Sequence, residues 1–119
     1  QNVLDTLLSN TSSRRATMIY NRPEMQIEYN SDGMSDFMCT YAHQFAIRDN
    51  KLHSHFIQRS LDGIFGFNND FAWAKYVHKN LLRDLKHANS KFEDLEMGDI
   101  LWTASSLHVY ERHFKYLTD

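Results

Sequence analysis

Residues 36–60 constrain the fold of this chain more than any other stretch. From Asp36 to Ile47, Phe37, Cys39, Tyr41, His43, Phe45 and Ile47 alternate with Met38, Thr40, Ala42, Gln44 and Ala46. That is the period-two pattern of a strand. Asp49-Asn50 then reverses the chain, and Lys51 to Ser60 is the return strand of a long hairpin. Both faces carry apolar residues, so the sheet is expected to be covered on one side and touched on the other. Gly63 and Gly66 next turn the backbone, and Asn68 to Asp70 open a long helix capped by Asn69 or Asp70. Phe71, Ala74, Val77, Leu81 and Leu85 form its apolar stripe, widened by Trp73 and Tyr76. It ends near Lys86-His87, where positive charge suits the C-terminal dipole. The expected fold class is α+β, a mixed or antiparallel sheet packed by this helix.

The remaining segments are shorter. Val3 to Leu8 reads as a helix ending at Ser9-Asn10, and Asn10 to Ser13 as a polar loop leading into Arg14-Arg15. Ala16 to Tyr20 reads as a strand broken by Asn21-Arg22-Pro23. Met25 to Tyr29 is expected to be a short extended piece, and Asn30 to Gly33 a turn. Met97-Gly98-Asp99 should turn into a strand from Ile100 to about Ser105. His108 and Tyr110 then fall on one side of an extended backbone, and Glu111 to Thr118 closes the chain as a helical turn.

A chain of 119 residues is one domain with room for a core. Its net charge of −2 gives no basic excess for a nucleic-acid polymer and no polybasic tract for a membrane surface. No apolar run is long enough to span a bilayer. The single cysteine cannot form an internal disulfide, which fits a reducing, cytoplasmic setting and leaves the thiol free. Gln1 stands where an initiator Met is expected and the first residues read as the end of a helix, so the chain is expected to start partway through a larger domain.

The chemistry-bearing residues gather around the hairpin and the glycine turn. Cys39 is either a small core residue or a nucleophile, and the second role needs positive charge nearby. Arg59 lies on the paired strand, where it serves as a surface ion-pair partner or as a fork for phosphate. The strand, glycine turn and helix start that follow Arg59-Ser60 make an anion site, because backbone N–H groups converge there. Asp70 adds a carboxylate. Arg14-Arg15 is a second guanidinium cluster or a solvated pair, and His108 with Tyr110 can hydrogen-bond a sugar hydroxyl. Seven histidines raise a metal question, but no His-Glu-x-x-His or Cys-x-x-Cys accompanies them, and no metal is expected.

These segments together resemble the thymidylate synthase family. The likeness rests on Ser13-Arg14-Arg15, the cysteine strand, Gln58-Arg59-Ser60-x-Asp62, Gly66 with a polar residue four further on, Gly98-Asp99 before Trp102, and His108-x-Tyr110. Within it, the phage deoxycytidylate hydroxymethylase branch is most similar, through Met18-Ile19-Tyr20-x-Arg22-Pro23, Asp32 to Thr40, Phe65-Gly66-Phe67-x-Asn69-Asp70 and Ser106 to Phe114. The resemblance implies that Cys39 attacks C6 of a pyrimidine nucleotide as thiolate and makes C5 nucleophilic. It implies that Arg59 holds the phosphate and favours the thiolate, and that Ser60 shares the phosphate. Arg14 and Arg15 would reach the partner subunit's phosphate in a symmetric homodimer whose sheets stack back to back. His108 and Tyr110 would bind the ribose 3′-hydroxyl. Asp62, Gly66 and Phe67 would line the side of the one-carbon donor, 5,10-methylenetetrahydrofolate.

Two departures from thymidylate synthase bear on the substrate. That enzyme has Asn at the position of Asp70, suited to uracil. A carboxylate suits the N4 amino donor of cytosine, with one proton shared at N3. Thymidylate synthase has His where this chain has Thr40, which again matches the hydroxymethylase branch, in which the exocyclic methylene takes up water to give 5-hydroxymethyl-dCMP. The expected substrate is therefore dCMP, with dUMP as the alternative and a catalytically incomplete nucleotide-binding or dimerisation fragment as the reading from another class. The family's catalytic glutamate lies in its N-terminal part, outside these residues. The resemblance therefore implies nucleotide binding with little turnover by this chain alone.

Overall fold

A computed structural model describes residues 1–28, 33 and 37–118. Its elements are α1 (Asn2–Ser9), β1 (Thr17–Ile19), α2 (Met25–Glu28), β2 (Thr40–Arg48), β3 (Lys51–Gln58), β4 (Leu61–Asp62), α3 (Gly66–Ala88), β5 (Glu96–Ala104) and β6 (Leu107–His108). Short 3-10 turns follow at Ser90–Phe92 and Glu111–Tyr116. The main sheet has the order β1-β2-β3-β5. Its first three strands are antiparallel, and β5 runs parallel to β3. The sheet is thus mixed. Beyond it, β4 and β6 pair in parallel as a small second sheet.

The hairpin closes through Asp49 and Asn50, at φ 50° and 56°. Two consecutive left-handed residues match the twist of the flanking strands. One face of the hairpin is buried under α3. Phe45, Ile47 and Leu52 on that face join Leu81 and Leu85 of the helix, Val3 and Leu7 of α1, and Phe92 and Leu95, while Phe56 is buried against His43 and Trp102. Two histidines sit in this apolar layer. His78 of α3 shares a hydrogen bond with Ser54 Oγ and donates from Nε2 to the Leu52 carbonyl. Because a carbonyl only accepts, Nδ1 is the ring acceptor for the Ser54 hydroxyl. His43 is fully buried against Phe45 and Phe56, and neither ring nitrogen has a partner among the described residues. The opposite face carries the half-buried Gln44, Ala46, His53 and His55 and the exposed Leu101.

Several expectations need correction. β2 starts at Thr40, so Cys39 lies in a bend just before the strand and not on it. A bulge between Thr40 and Ala42 leaves Tyr41 as an extra residue. It turns Thr40 inward opposite Gln58, and Tyr41 becomes 38 % exposed. Met25–Glu28 is a helical turn, not an extended piece, because Pro23 stands just ahead of it with φ already set for a helix. α3 begins at Gly66, a full turn before the expected Asn69 or Asp70 cap. In its stripe Ala74, Leu81 and Leu85 are buried with His78, whereas Phe71, Trp73 and Tyr76 are exposed. β5 begins at Glu96, so Met97-Gly98-Asp99 is strand and not turn. Gly98 tolerates this because a Cβ there would lie 2.5 Å from His53 Nδ1. The turn expected over Asn30 to Gly33 and the strand start at Asp36 fall mostly on residues outside the described ones.

Candidate active site

The site forms where β3 leaves the main sheet. The Arg59 N–H donates to the Cys39 carbonyl at 2.9 Å, which extends the hairpin pairing by one rung. The guanidinium then folds over the segment before β2. Its Nε donates to the Met38 carbonyl at 3.1 Å and its Nη2 to the Phe37 carbonyl at 2.8 Å. Nη2 also lies 3.7 Å from Cys39 Sγ. The cation stands 5.0 Å above the Phe37 ring. Nη1 makes no hydrogen bond to the described residues, so one edge of the fork is open for an anion. Cys39 is free and exposed. Ser60 follows Arg59, and its hydroxyl makes no hydrogen bond among the described residues.

The chain past Ser60 is stitched to the end of β5. Ser105 N–H donates to the Gln58 carbonyl at 3.0 Å, Ser106 N–H to that of Arg59 at 3.1 Å, and Leu61 N–H to that of Ser106 at 2.8 Å. β4 and β6 then place Asp62 beside His108. Tyr110 stands edge-on to the His108 ring at 5.0 Å, and Arg112 lies 4.3 Å from the centre of the Tyr110 ring.

Asp62 organises the turn into α3. Its carboxylate accepts from Ile64 N–H at 3.1 Å and Gly66 N–H at 3.3 Å. The Ile64 N–H, ahead of those of Gly66 and Phe65, holds this carboxyl below its ordinary range. A Cβ at Gly66 would lie 3.0 Å from Asp62 Cβ, so the two residues approach closely. One turn later Asp70 faces the sheet. Its Oδ2 accepts from Gln58 Nε2 at 2.8 Å. Gln58, which is fully buried, also donates to Thr40 Oγ1 at 3.3 Å and accepts from Trp102 Nε1 at 3.0 Å. Gln58 thus ties the neighbour of the thiol, the helix carboxylate and β5 together. The sequence assigns it no role of its own; its signals are its place in the Gln58-Arg59-Ser60-x-Asp62 segment and a polar side chain on the apolar face of β3.

The folate implied by the resemblance can be tested against the chain's own surface. Phe67 is 37 % exposed and packs with Phe71 at 5.7 Å and Trp102 at 5.4 Å between ring centres. Flat apolar rings beside the Asp62 turn fit a planar heterocycle.

The structure therefore brings Cys39 to Arg59, Asp62 to Gly66 and His108, His108 to Tyr110, and Asp70 to Gln58. Arg14 and Arg15 are exposed elsewhere. Arg14 borders a shallow cavity of about 380 Å³ with Gln44, Ala46, His53, His55 and Leu101, on the sheet face away from α3. Among the described residues no group of three or more His, Cys, Asp or Glu is arranged to hold a metal ion. No helix among them is long and apolar enough to cross a membrane.

Comparison with known proteins bears on the chain as a whole. The chain is 52 % identical over 116 residues to the deoxycytidylate 5-hydroxymethyltransferase of Enterobacteria phage T4, covering 98 % of this chain and 46 % of that protein. It is 30 % identical over 120 residues to the thymidylate synthase of Corynebacterium aurimucosum, covering 100 % of this chain and 40 % of that one. The solved thermostable thymidylate synthase A from Bacillus subtilis superposes with a TM-score of 0.76 at 25 % identity, over 98 % of this chain and 37 % of that one. The chain spans less than half the length of these relatives. The thymidylate synthase family profile matches residues 1–119. With every residue inside that match and the fold shared, the chain belongs to the thymidylate synthase family.

Proposed function

We propose that these 119 residues carry the nucleophile and the pyrimidine-nucleotide site of a deoxycytidylate 5-hydroxymethyltransferase. The observation that carries the reading is the convergence at the end of β3: Arg59 reaches the Cys39 sulfur, and the preceding residue, Gln58, holds the Asp70 carboxylate.

Each residue has a defined task. The open edge of Arg59, with the Ser60 hydroxyl, binds the 5′-phosphate by charge-assisted hydrogen bonds. His108 and Tyr110 bind the ribose 3′-hydroxyl. Asp70 takes the cytosine edge, accepting from the N4 amino group. A base with a carbonyl at that position would set acceptor against acceptor, and such mismatches discriminate strongly. The Cys39 sulfur bonds to C6, and the ring electrons move to C5, which becomes the carbon nucleophile. Loss of the C5 proton, uptake of water at the new exocyclic carbon and departure of the Cys39 sulfur from C6 then restore the 5,6 double bond. Asp62, Gly66 and Phe67 hold the donor beside C5. When bound, methylenetetrahydrofolate supplies a one-carbon unit at the oxidation level of formaldehyde.

The uncovered sheet face supports a symmetric dimer in which Arg14 and Arg15 reach the partner's phosphate. Because the family's catalytic glutamate lies outside these residues, turnover by the 119-residue chain alone is expected to be small. Titration with dCMP and dUMP tests the binding half: dCMP should bind tighter, with the D70N form measured beside it. Equal binding of both nucleotides by both forms would refute the role of Asp70. A hybrid joining this chain to the N-terminal half of the phage T4 relative should release tritium from C5 of labelled dCMP. No release from a folded hybrid would leave a nucleotide-binding or dimerisation module.

A further inference from the structure

The donors and acceptors around Gln58 have a fixed direction. The indole Nε1–H of Trp102 can only donate, and it points at Gln58 Oε1 at 3.0 Å. The side-chain NH2 of Gln58 is thereby turned the other way, onto Asp70 Oδ2 at 2.8 Å and Thr40 Oγ1 at 3.3 Å. Flipping the amide would set its NH2 against the indole N–H and its oxygen against a carboxylate. Both contacts would be lost at a residue with no exposure to solvent, where unpaired polar groups are costly. Thr40 does not decide the direction, because a hydroxyl donates or accepts equally well.

We propose that Trp102 is a specificity-determining positioning residue. Acting through Gln58, it makes the two oxygens of Asp70 unequal and so sets which hydrogen-bonding pattern the residue at position 70 offers a pyrimidine. The proposal rests on the reading of Asp70 as the base-recognising group. Oδ2 already accepts a hydrogen bond from an amide, so a proton on the carboxyl belongs on Oδ1. The carboxyl therefore presents one committed acceptor and one oxygen free to share a proton, the pair that an amino group and a ring nitrogen require. An amide at position 70 would be held the same way, its oxygen toward Gln58 and its NH2 opposite, so it too offers the acceptor to an amino group and the donor to a ring nitrogen; only the reversed amide fits uracil. Trp102 thus imposes a polarity on either side chain without touching the base itself.

Two measurements test this. In the labelled 119-residue chain, the Gln58 side-chain amide protons should show nuclear Overhauser contacts to Asp70 and Thr40, and the Trp102 indole proton should exchange slowly. A strong contact between the Gln58 amide protons and that indole proton would show the reversed amide and overturn the proposal, whatever the chain binds. The second measurement compares dCMP and dUMP affinities in D70N and in D70N combined with W102F. The single variant, its amide held by Gln58, should still favour dCMP by about tenfold or more. The double variant, free to flip both amides, should fall toward equal binding. An unchanged ratio would overturn the link between Trp102 and specificity. Loss of all nucleotide binding with the Gln58 contacts in place would instead refute the functional reading of the site. A reversed amide in a chain that still selects dCMP would refute only the role of Trp102.

Discussion

His43 makes this fold sensitive to acid, although no solvent reaches it. Its ring is packed 4.2 Å from Phe45 and 5.0 Å from Phe56, with both nitrogens unpartnered among the described residues. Burial, followed by the charges of His78 and His55, lowers its pKa from 6.5 to about 4. Between those values the unfolded chain binds a proton that the folded chain refuses, so stability is complete above pH 6.5 and is lost as pH falls toward 4. At pH 5 the unfolded state has about 30 protonated forms for each neutral one, and the folded state about one in ten. That ratio is worth about 2 kcal/mol, and the full shift about 3 kcal/mol. Urea unfolding at pH 7 and pH 5 should show this loss. In H43L the buried donor and acceptor are gone, so the variant should gain about 1 kcal/mol at pH 7 and lose about 2 kcal/mol less than the parent on acidification. His78 is depressed in the same direction by burial and remains in the variant, so the difference between the two proteins is the readout. An identical pH dependence in H43L would refute the assignment of acid sensitivity to His43.

Three further outcomes follow from other contacts. R59K removes the paired bonds to the Phe37 and Met38 carbonyls, so the Cys39 amide should exchange with solvent faster and dCMP affinity should fall by about tenfold or more; unchanged exchange by mass spectrometry would separate Arg59 from the thiol segment. D62N replaces the carboxylate that accepts from the Ile64 and Gly66 N–H groups and should loosen the start of α3, read as a lower midpoint in urea unfolding. D49A keeps a side chain at φ 50° and should cost about 1 kcal/mol relative to D49G, measured as a shift in urea midpoint.

The elements set by local periodicity were legible. The hairpin followed from alternation around Asp49-Asn50, and the long helix from apolar residues at helical spacing. What hid was each place where a contact from far along the chain overrides the local signal. The bulge at Tyr41 cannot be seen in an alternating run, since Thr40 and Tyr41 exchange faces only once Gln58 fixes the pairing. The start of α3 differs from the expected one because the residue that accepts from its first N–H, that of Gly66, is Asp62, four positions earlier, rather than a cap at the helix itself. Gly98 read as a turn because nothing in its own neighbourhood shows that His53 fills the space a side chain would need.

The candidate site was legible to a similar depth. Arg59, Ser60, Asp62, Gly66 and Asp70 lie within twelve residues of one another, so a single strand-turn-helix passage displays them. Cys39 joins them through one rung of the hairpin. The direction of hydrogen bonding at Asp70 was not legible, because three elements set it together: Trp102 on β5, Gln58 on β3 and Asp70 on α3. A motif names which side chains are present. It does not say which end of an amide faces which partner, and in a buried chain of bonds that direction is settled by the one member unable to reverse. Here that member is an indole, thirty-two positions downstream of the carboxylate it governs, and its N–H is the smallest group whose removal should blur the distinction between an amino and a carbonyl pyrimidine edge.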